Sequence, residues 1–183
     1  MTTLINILTL TRIFLAAIIF VLLISPEGYL MALVLFFIAG VTDYLDGYLA
    51  RKYNAVSTLG EILDPIADKI LILFVLFGLA INLSSYLIGF LGALIITREI
   101  WVGALRDLNA RSGNSDVTKV TFIAKIKTTV QLFTLSIYLF GLAMNNMLVI
   151  IIADIFLFIS LFITLYTGFI YTLETFKNNE EVQ

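Results

Sequence analysis

The sequence predicts an all-α integral membrane protein with six transmembrane helices and an amino-terminal interfacial segment. Three observations carry that prediction. Hydrophobic residues make up 61% of the 183-residue chain and charged residues only 13%, where soluble domains carry about 25% charged. The mean hydropathy is +1.06. The apolar residues also fall into six runs near the roughly 20 residues that cross a hydrocarbon core. These runs do not alternate, which argues against a closed barrel.

The first run, 13–24, is short, but Ile5, Ile7, Leu8 and Leu10 extend it or lie along the interface. It follows Arg12 much as a signal peptide would. No small-residue cleavage site follows, because Ser25-Pro26-Glu27-Gly28 reads as a turn, so the helix is retained. The second and third runs, 29–48 and 62–81, flank a short polar loop. Asn82-Leu83-Ser84-Ser85 separates the third from the fourth, 86–105. Ser112-Gly113-Asn114-Ser115 precedes the fifth, 122–144, and Asn145-Asn146 precedes the sixth, 148–173. Residues 1–175 form one membrane domain and 176–183 a cytoplasmic tail.

Charge placement sets the orientation. Turns 25–28, 82–85 and 145–147 fall on one side of the bilayer and hold no Lys or Arg. All 11 cations (Arg12, Arg51, Lys52, Lys69, Arg98, Arg106, Arg111, Lys119, Lys125, Lys127, Lys177) fall toward the other side. The positive-inside rule makes that side cytoplasmic, with both termini there. Of the 13 acids only Glu27 and Asp154 sit toward the outside. Asp154 is best read as a helix–helix hydrogen bond or a snorkelling carboxylate. A net charge of −2 and a pI near 5.0 argue against nucleic acid as a partner, which needs a basic footprint. The absence of Cys and His excludes thiolate chemistry, imidazole bases and the Ser-His-Asp triad. Acid–base work falls to Asp, Glu, Lys or Tyr.

Four carboxylates stand out. Asp43, Asp46, Gly47 and Ala50 occupy i, i+3, i+4 and i+7 of the second helix, which is one face. Gly60, Asp64 and Asp68 recur every four residues on the third. The loop between is short enough to make the two helices antiparallel neighbours. Ionised Asp in a membrane helix costs about 2.5–3.5 kcal/mol on insertion scales, so four together need compensation. Hard oxygen ligands on facing helices suit Mg²⁺ or Mn²⁺, and two such ions would neutralise four charges. A two-metal carboxylate cluster suits in-line displacement at phosphorus. Small residues beside the acids leave room for phosphates, and Arg51 can neutralise their charge.

The stretch from Asp43 to Asp68, DYLDGYLARKYNAVSTLGEILDPIAD, resembles the signature of the CDP-alcohol phosphotransferases, D-x2-D-G-x2-A-R-x8-G-x3-D-x3-D. All its specified residues match, and chance agreement is on the order of 10⁻¹⁰ per starting position. The resemblance implies a six-helix membrane domain, a homodimer, and a polar cavity open to the cytoplasm. It implies cleavage of a CDP-linked alcohol at the pyrophosphate, transfer to a second hydroxyl, and release of CMP. Under it, Asp43, Asp46 and Asp64 are ligands of two metal ions, with Asp68 a ligand or the general base. Gly47, Ala50, Arg51 and Gly60 contact the cytidine diphosphate.

Further resemblances point to the phosphatidylglycerophosphate-forming branch of that family. They are Thr97-Arg98-Glu99 with Ala104-Leu105-Arg106, then Ala124-Lys125-Ile126-Lys127-Thr128, and Asn6-x2-Thr9-x2-Arg12. Ile5 stands where that branch has Pro, and Ala124 where it has Gly. The implied substrates are CDP-diacylglycerol and sn-glycerol 3-phosphate, in the inner (cytoplasmic) membrane of a bacterium, with the lipid bilayer holding the acyl chains. A dianionic acceptor beside four carboxylates needs cations of its own, and Arg98, Arg106, Lys125 and Lys127 supply them. Lys125 and Lys127 lie on roughly opposite faces, so one reaches the phosphate. Arg98 pairs with Glu99. Arg111, Lys119 and Lys177 are topology determinants. Trp101 and Tyr48 stand near the cavity, while most other aromatics are lipid-facing bulk. Two alternatives remain at this stage: a sibling enzyme with another acceptor (phosphatidylglycerol, inositol phosphate or serine), or a divalent-cation transporter.

Overall fold

A computed structural model describes residues 2–53, 58–114 and 122–181. Its regular elements are helical: α1 (Thr2–Ile24), α2 (Tyr29–Tyr53), α3 (Thr58–Asn82), α4 (Tyr86–Arg111), α5 (Phe122–Ala143) and α6 (Met147–Glu181). A 3₁₀ turn, Pro26–Gly28, joins α1 to α2. No strand occurs among the described residues. The amino-terminal stretch is continuous with the first span.

Four segments are long and apolar enough to cross a membrane: Asn6–Ile24, Tyr86–Arg111, Ile126–Ala143 and Met147–Lys177. The apolar part of α2 is shorter, Tyr29–Leu45, because its last turns carry the charged residues. In α3 the acids occupy the first turns and the uninterrupted apolar run begins only at Ile70. The helices therefore form a bundle with one charged end and one apolar end. Large exposed side chains such as Phe14, Phe37, Phe90, Phe162 and Phe169 cover the outside, as suits a chain solvated by lipid.

The helix order in space departs from the expectation that α2 and α3 are neighbours. Among the described residues these two make no close backbone contact, and α1 packs between them against both. Small residues allow this. Ala16 on α1 and Ala32 and Ala39 on α2 are fully buried, and such residues let helix backbones approach in membranes. On the other flank, a Cβ on Gly78 of α3 would lie 2.7 Å from Cδ1 of Leu23. The remaining helices pack α5 on α6 and α6 on α4, with α2 closing on α5 and α3 on α4.

The apolar end is held by short polar clasps. The Asn82 amide donates to the Leu23 carbonyl at 2.7 Å and to the Tyr29 hydroxyl at 2.6 Å, joining α1, α2 and α3. At Gly28 a Cβ would lie 2.3 Å from the Leu22 carbonyl oxygen, so only glycine closes that turn. Within the bundle, Tyr138 of α5 donates to Asp154 of α6. Of the two readings the sequence left open for that isolated acid, this is the helix–helix hydrogen bond. Interhelical hydrogen bonds in membranes average about 0.6 kcal/mol and reach about 1.7. Tyr138→Phe is thus expected to lower Tm in detergent by a few degrees without touching activity, measured by thermal denaturation beside the unaltered chain.

Candidate active site

The charged end is organised around a guanidinium from α1. Arg12 is fully buried, and its Nη1 lies 2.7 Å from Oδ1 of Asp43 and 2.6 Å from Oδ1 of Asp68. One nitrogen thus ties the α2 carboxylate to the α3 carboxylate. One turn earlier, Thr9 Oγ1 donates to Oδ1 of Asp64 at 2.7 Å. The register follows from helical spacing. Thr9 and Arg12 are i, i+3 on α1, Asp64 and Asp68 are i, i+4 on α3, and both helices run the same way. A buried charge needs a partner, and Arg12 has two. The carboxylates are not sealed off: the side chains of Asp43 and Asp68 are 47% and 42% exposed. Arg12 forms a floor beneath acids whose upper faces are open.

Beside this cluster lies a cavity of about 160 Å³ between α3, α4 and α5. Its walls include Asp68 and Lys69 from α3, Arg98, Glu99 and Arg106 from α4, and Lys127 from α5. Arg98 Nη1 donates to Glu99 Oε1 at 2.8 Å, and the Lys127 ammonium donates to the same oxygen. Arg98 Nη2 donates to Thr167 Oγ1 of α6 at 2.6 Å. The Arg106 guanidinium stands over the Tyr171 ring, 5.4 Å from its centroid. Arg98 and Lys127 are buried, so their charges are held in a medium where electrostatic attraction is strong. Drug-sized ligands occupy roughly 300–1,000 Å³, so this chamber suits a small polar molecule. A larger hollow of about 500 Å³ lies toward the apolar end between α3 and α4 and carries none of these charged residues.

The structure brings Asp43, Asp64 and Asp68 together at one end, and Arg98, Arg106 and Lys127 round the adjoining chamber. Gly47 is half-buried on α2, and Gly60 is buried one turn before Asp64. The side chains of Asp46, Ala50, Arg51 and Lys125 lie outside the described residues, although all four positions are helical. Lys119 lies outside them altogether. Arg111 pairs with Asp107 on the surface at 2.7 Å. Trp101 does not line the chamber; its indole N–H donates to Thr172 Oγ1 at 2.9 Å. Tyr48 is exposed beside Lys52.

Sequence reasoning missed the structural roles of Arg12, Thr9, Thr167 and Tyr171. For the first two a signal existed, since Asn6-x2-Thr9-x2-Arg12 was already part of the family resemblance. For the α6 pair the signal was only a polar stripe at helical spacing in an apolar helix.

The acids present fit a divalent cation in kind. They are hard oxygen donors, half-open, and among the described residues they outnumber the Arg12 cation that pairs with them. Among the described residues no three Asp or Glu side chains close round one point as a full metal shell would.

Comparison with known proteins gives a consistent picture. A family model described as CDP-alcohol phosphatidyltransferase matches residues 2–166. The chain is similar to CDP-diacylglycerol–glycerol-3-phosphate 3-phosphatidyltransferase of Rickettsia bellii, 39% identical over 171 residues, which are 91% of each chain. The protein of the same name from Rickettsia typhi is 37% identical over 169 residues, covering 91% of this chain and 93% of the relative. The one from Salmonella typhimurium is 34% identical over 133 residues, covering 72% and 73%.

Proposed function

The chain belongs to the CDP-alcohol phosphatidyltransferase family, and from that premise we propose that it transfers the phosphatidyl group of CDP-diacylglycerol to sn-glycerol 3-phosphate, yielding phosphatidylglycerophosphate and CMP. One observation carries the reading. Asp68 belongs to both halves of the site: Arg12 ties it to Asp43, and it also lines the chamber of Arg98, Arg106 and Lys127. A carboxylate at that junction stands between a lipid pyrophosphate over the acids and a small anionic alcohol in the chamber. The charges agree. Lys69, Arg98, Arg106 and Lys127 share the chamber with two carboxylates, Glu99 and Asp68, which leaves an excess of positive charge for a phosphate monoester dianion. The names of the relatives point the same way.

The chain's own groups divide the work. Arg98, Arg106 and Lys127 hold the acceptor's phosphate and aim its hydroxyl at Asp68. Asp68 takes the hydroxyl proton as the new oxygen–phosphorus bond forms. The phosphorus–oxygen bond to CMP breaks in line, and CMP leaves with the electron pair. Arg12 holds Asp43 and Asp68 in register beneath the reacting groups. Two Mg²⁺ or Mn²⁺ ions held by Asp43, Asp46, Asp64 and Asp68 would supply charge neutralisation and polarise the pyrophosphate. By the positive-inside rule the charged end faces the cytoplasm, where both soluble substrate and CMP are handled.

The test is CMP release by detergent-purified protein supplied with CDP-diacylglycerol, Mg²⁺ or Mn²⁺, and glycerol 3-phosphate, with the lipid product identified by mass. Equimolar CMP and phosphatidylglycerophosphate are expected, lost on chelation and restored by added metal. CMP release only with a different alcohol overturns the acceptor, and none with any alcohol overturns the reaction.

A further inference from the structure

We infer that α6, which contributes no residue to the chamber walls among the described residues, sets the position of the acceptor-binding cations from behind. This inference rests on the reading above. Three α6 residues on one face do it. Thr167 offers its hydroxyl oxygen to Arg98 Nη2 at 2.6 Å, while Glu99 takes Nη1. With one partner on each terminal nitrogen, the guanidinium plane is fixed. Gly168 makes this approach possible: a Cβ there would lie 2.9 Å from Cγ and 3.0 Å from Nε of Arg98. One turn on, buried Tyr171 seats the Arg106 guanidinium over its ring and packs with Val102 and Leu105 of α4.

The chemistry explains why a neutral wall serves here. A second carboxylate on α6 would cancel the positive charge that a phosphate needs. A hydroxyl and an aromatic face orient a guanidinium without neutralising it. Thr167, Gly168 and Tyr171 are therefore positioning residues. They touch no substrate and act through Arg98 and Arg106. Displacing a positioned group by about 1 Å can cost on the order of a hundredfold in rate, so α6 governs selectivity for anionic acceptors from outside the chamber.

The experiment compares Thr167→Val, Thr167→Ser and Gly168→Ala with the unaltered protein, reading KM for each substrate and Tm in detergent. Thr167→Val and Gly168→Ala are expected to raise KM for glycerol 3-phosphate at least about tenfold while KM for CDP-diacylglycerol stays within about twofold. Thr167→Ser, which keeps the oxygen, is expected to restore the parental value. Equal rises in both KM values, a loss of kcat alone, or no change overturns the inference. If the unaltered protein proves to use an uncharged acceptor, the reading above falls and the cradle is judged separately, by the rise in Tm that inorganic phosphate confers. Loss of that rise in Thr167→Val and its return in Thr167→Ser uphold the cradle. Its persistence in Thr167→Val overturns it.

Discussion

Asp68→Asn is expected to lower the rate of CMP release by about 10²–10⁴-fold, the usual contribution of a positioned general base. The substitution is nearly isosteric and keeps an oxygen that can accept from Arg12, so the junction between the two halves of the site keeps its shape. What is lost, on the proposed reading, is the capacity to take a proton from the acceptor. KM for CDP-diacylglycerol should move little, because on the proposed reading the lipid substrate is held by the other acids as well. Steady-state kinetics with both substrates varied checks this, and turnover within tenfold of the parent would remove Asp68 from the base's role.

Arg12→Ala is expected to act on stability and activity together. Removing one partner from a buried ion pair costs about 3–5 kcal/mol when the remaining charge stays buried. Here the abandoned acids are half-open and can rehydrate, which places the effect toward the lower end. The substitution also cuts a side chain that joins α1 to both α2 and α3 at the charged end. A clear fall in Tm and a loss of more than about a hundredfold in CMP release are therefore expected. Arg12→Lys keeps a cation and is expected to recover much of the Tm but less of the activity, because a single ammonium on a shorter stem holds two carboxylates less rigidly. An Arg12→Ala protein as stable and active as its parent would show the node to be dispensable.

The helices were legible because each apolar run is bounded by Ser, Asn, Gly or Pro. The carboxylates were legible because Asp43 and Asp46 on one helix, and Asp64 and Asp68 on the next, each follow helical spacing. The arrangement of α2 and α3 was not. A short connection limits how far two helices can separate, yet it does not forbid a third from entering between them. That α1 does so depends on buried Ala16, Ala32 and Ala39, residues that look like filler in a hydropathy profile. Arg12 was visible as a cation but not as the floor of the site, because its partners Asp43 and Asp68 lie on two other helices and no local pattern links them to it. The pairing of Arg98 with Glu99 needed no such distance and was anticipated. Thr167 and Tyr171 escaped notice for another reason: they belong to a stripe of buried hydroxyls on an otherwise apolar helix, and such a stripe gives no hint of which helix it faces.

On the proposed reading, the size of the chamber has a consequence for fidelity. At about 160 Å³ it has room for about five waters at the roughly 30 Å³ each occupies in the liquid. A base that deprotonates an alcohol can deprotonate water, so an empty chamber over a loaded lipid is set up for hydrolysis, which would yield phosphatidic acid and waste an activated precursor. The buried cations favour a dianion over neutral solvent, and an acceptor seated on them displaces the waters nearest Asp68. Occupancy of the chamber would then decide more than which lipid is made: it would decide whether the activated lipid is used or squandered.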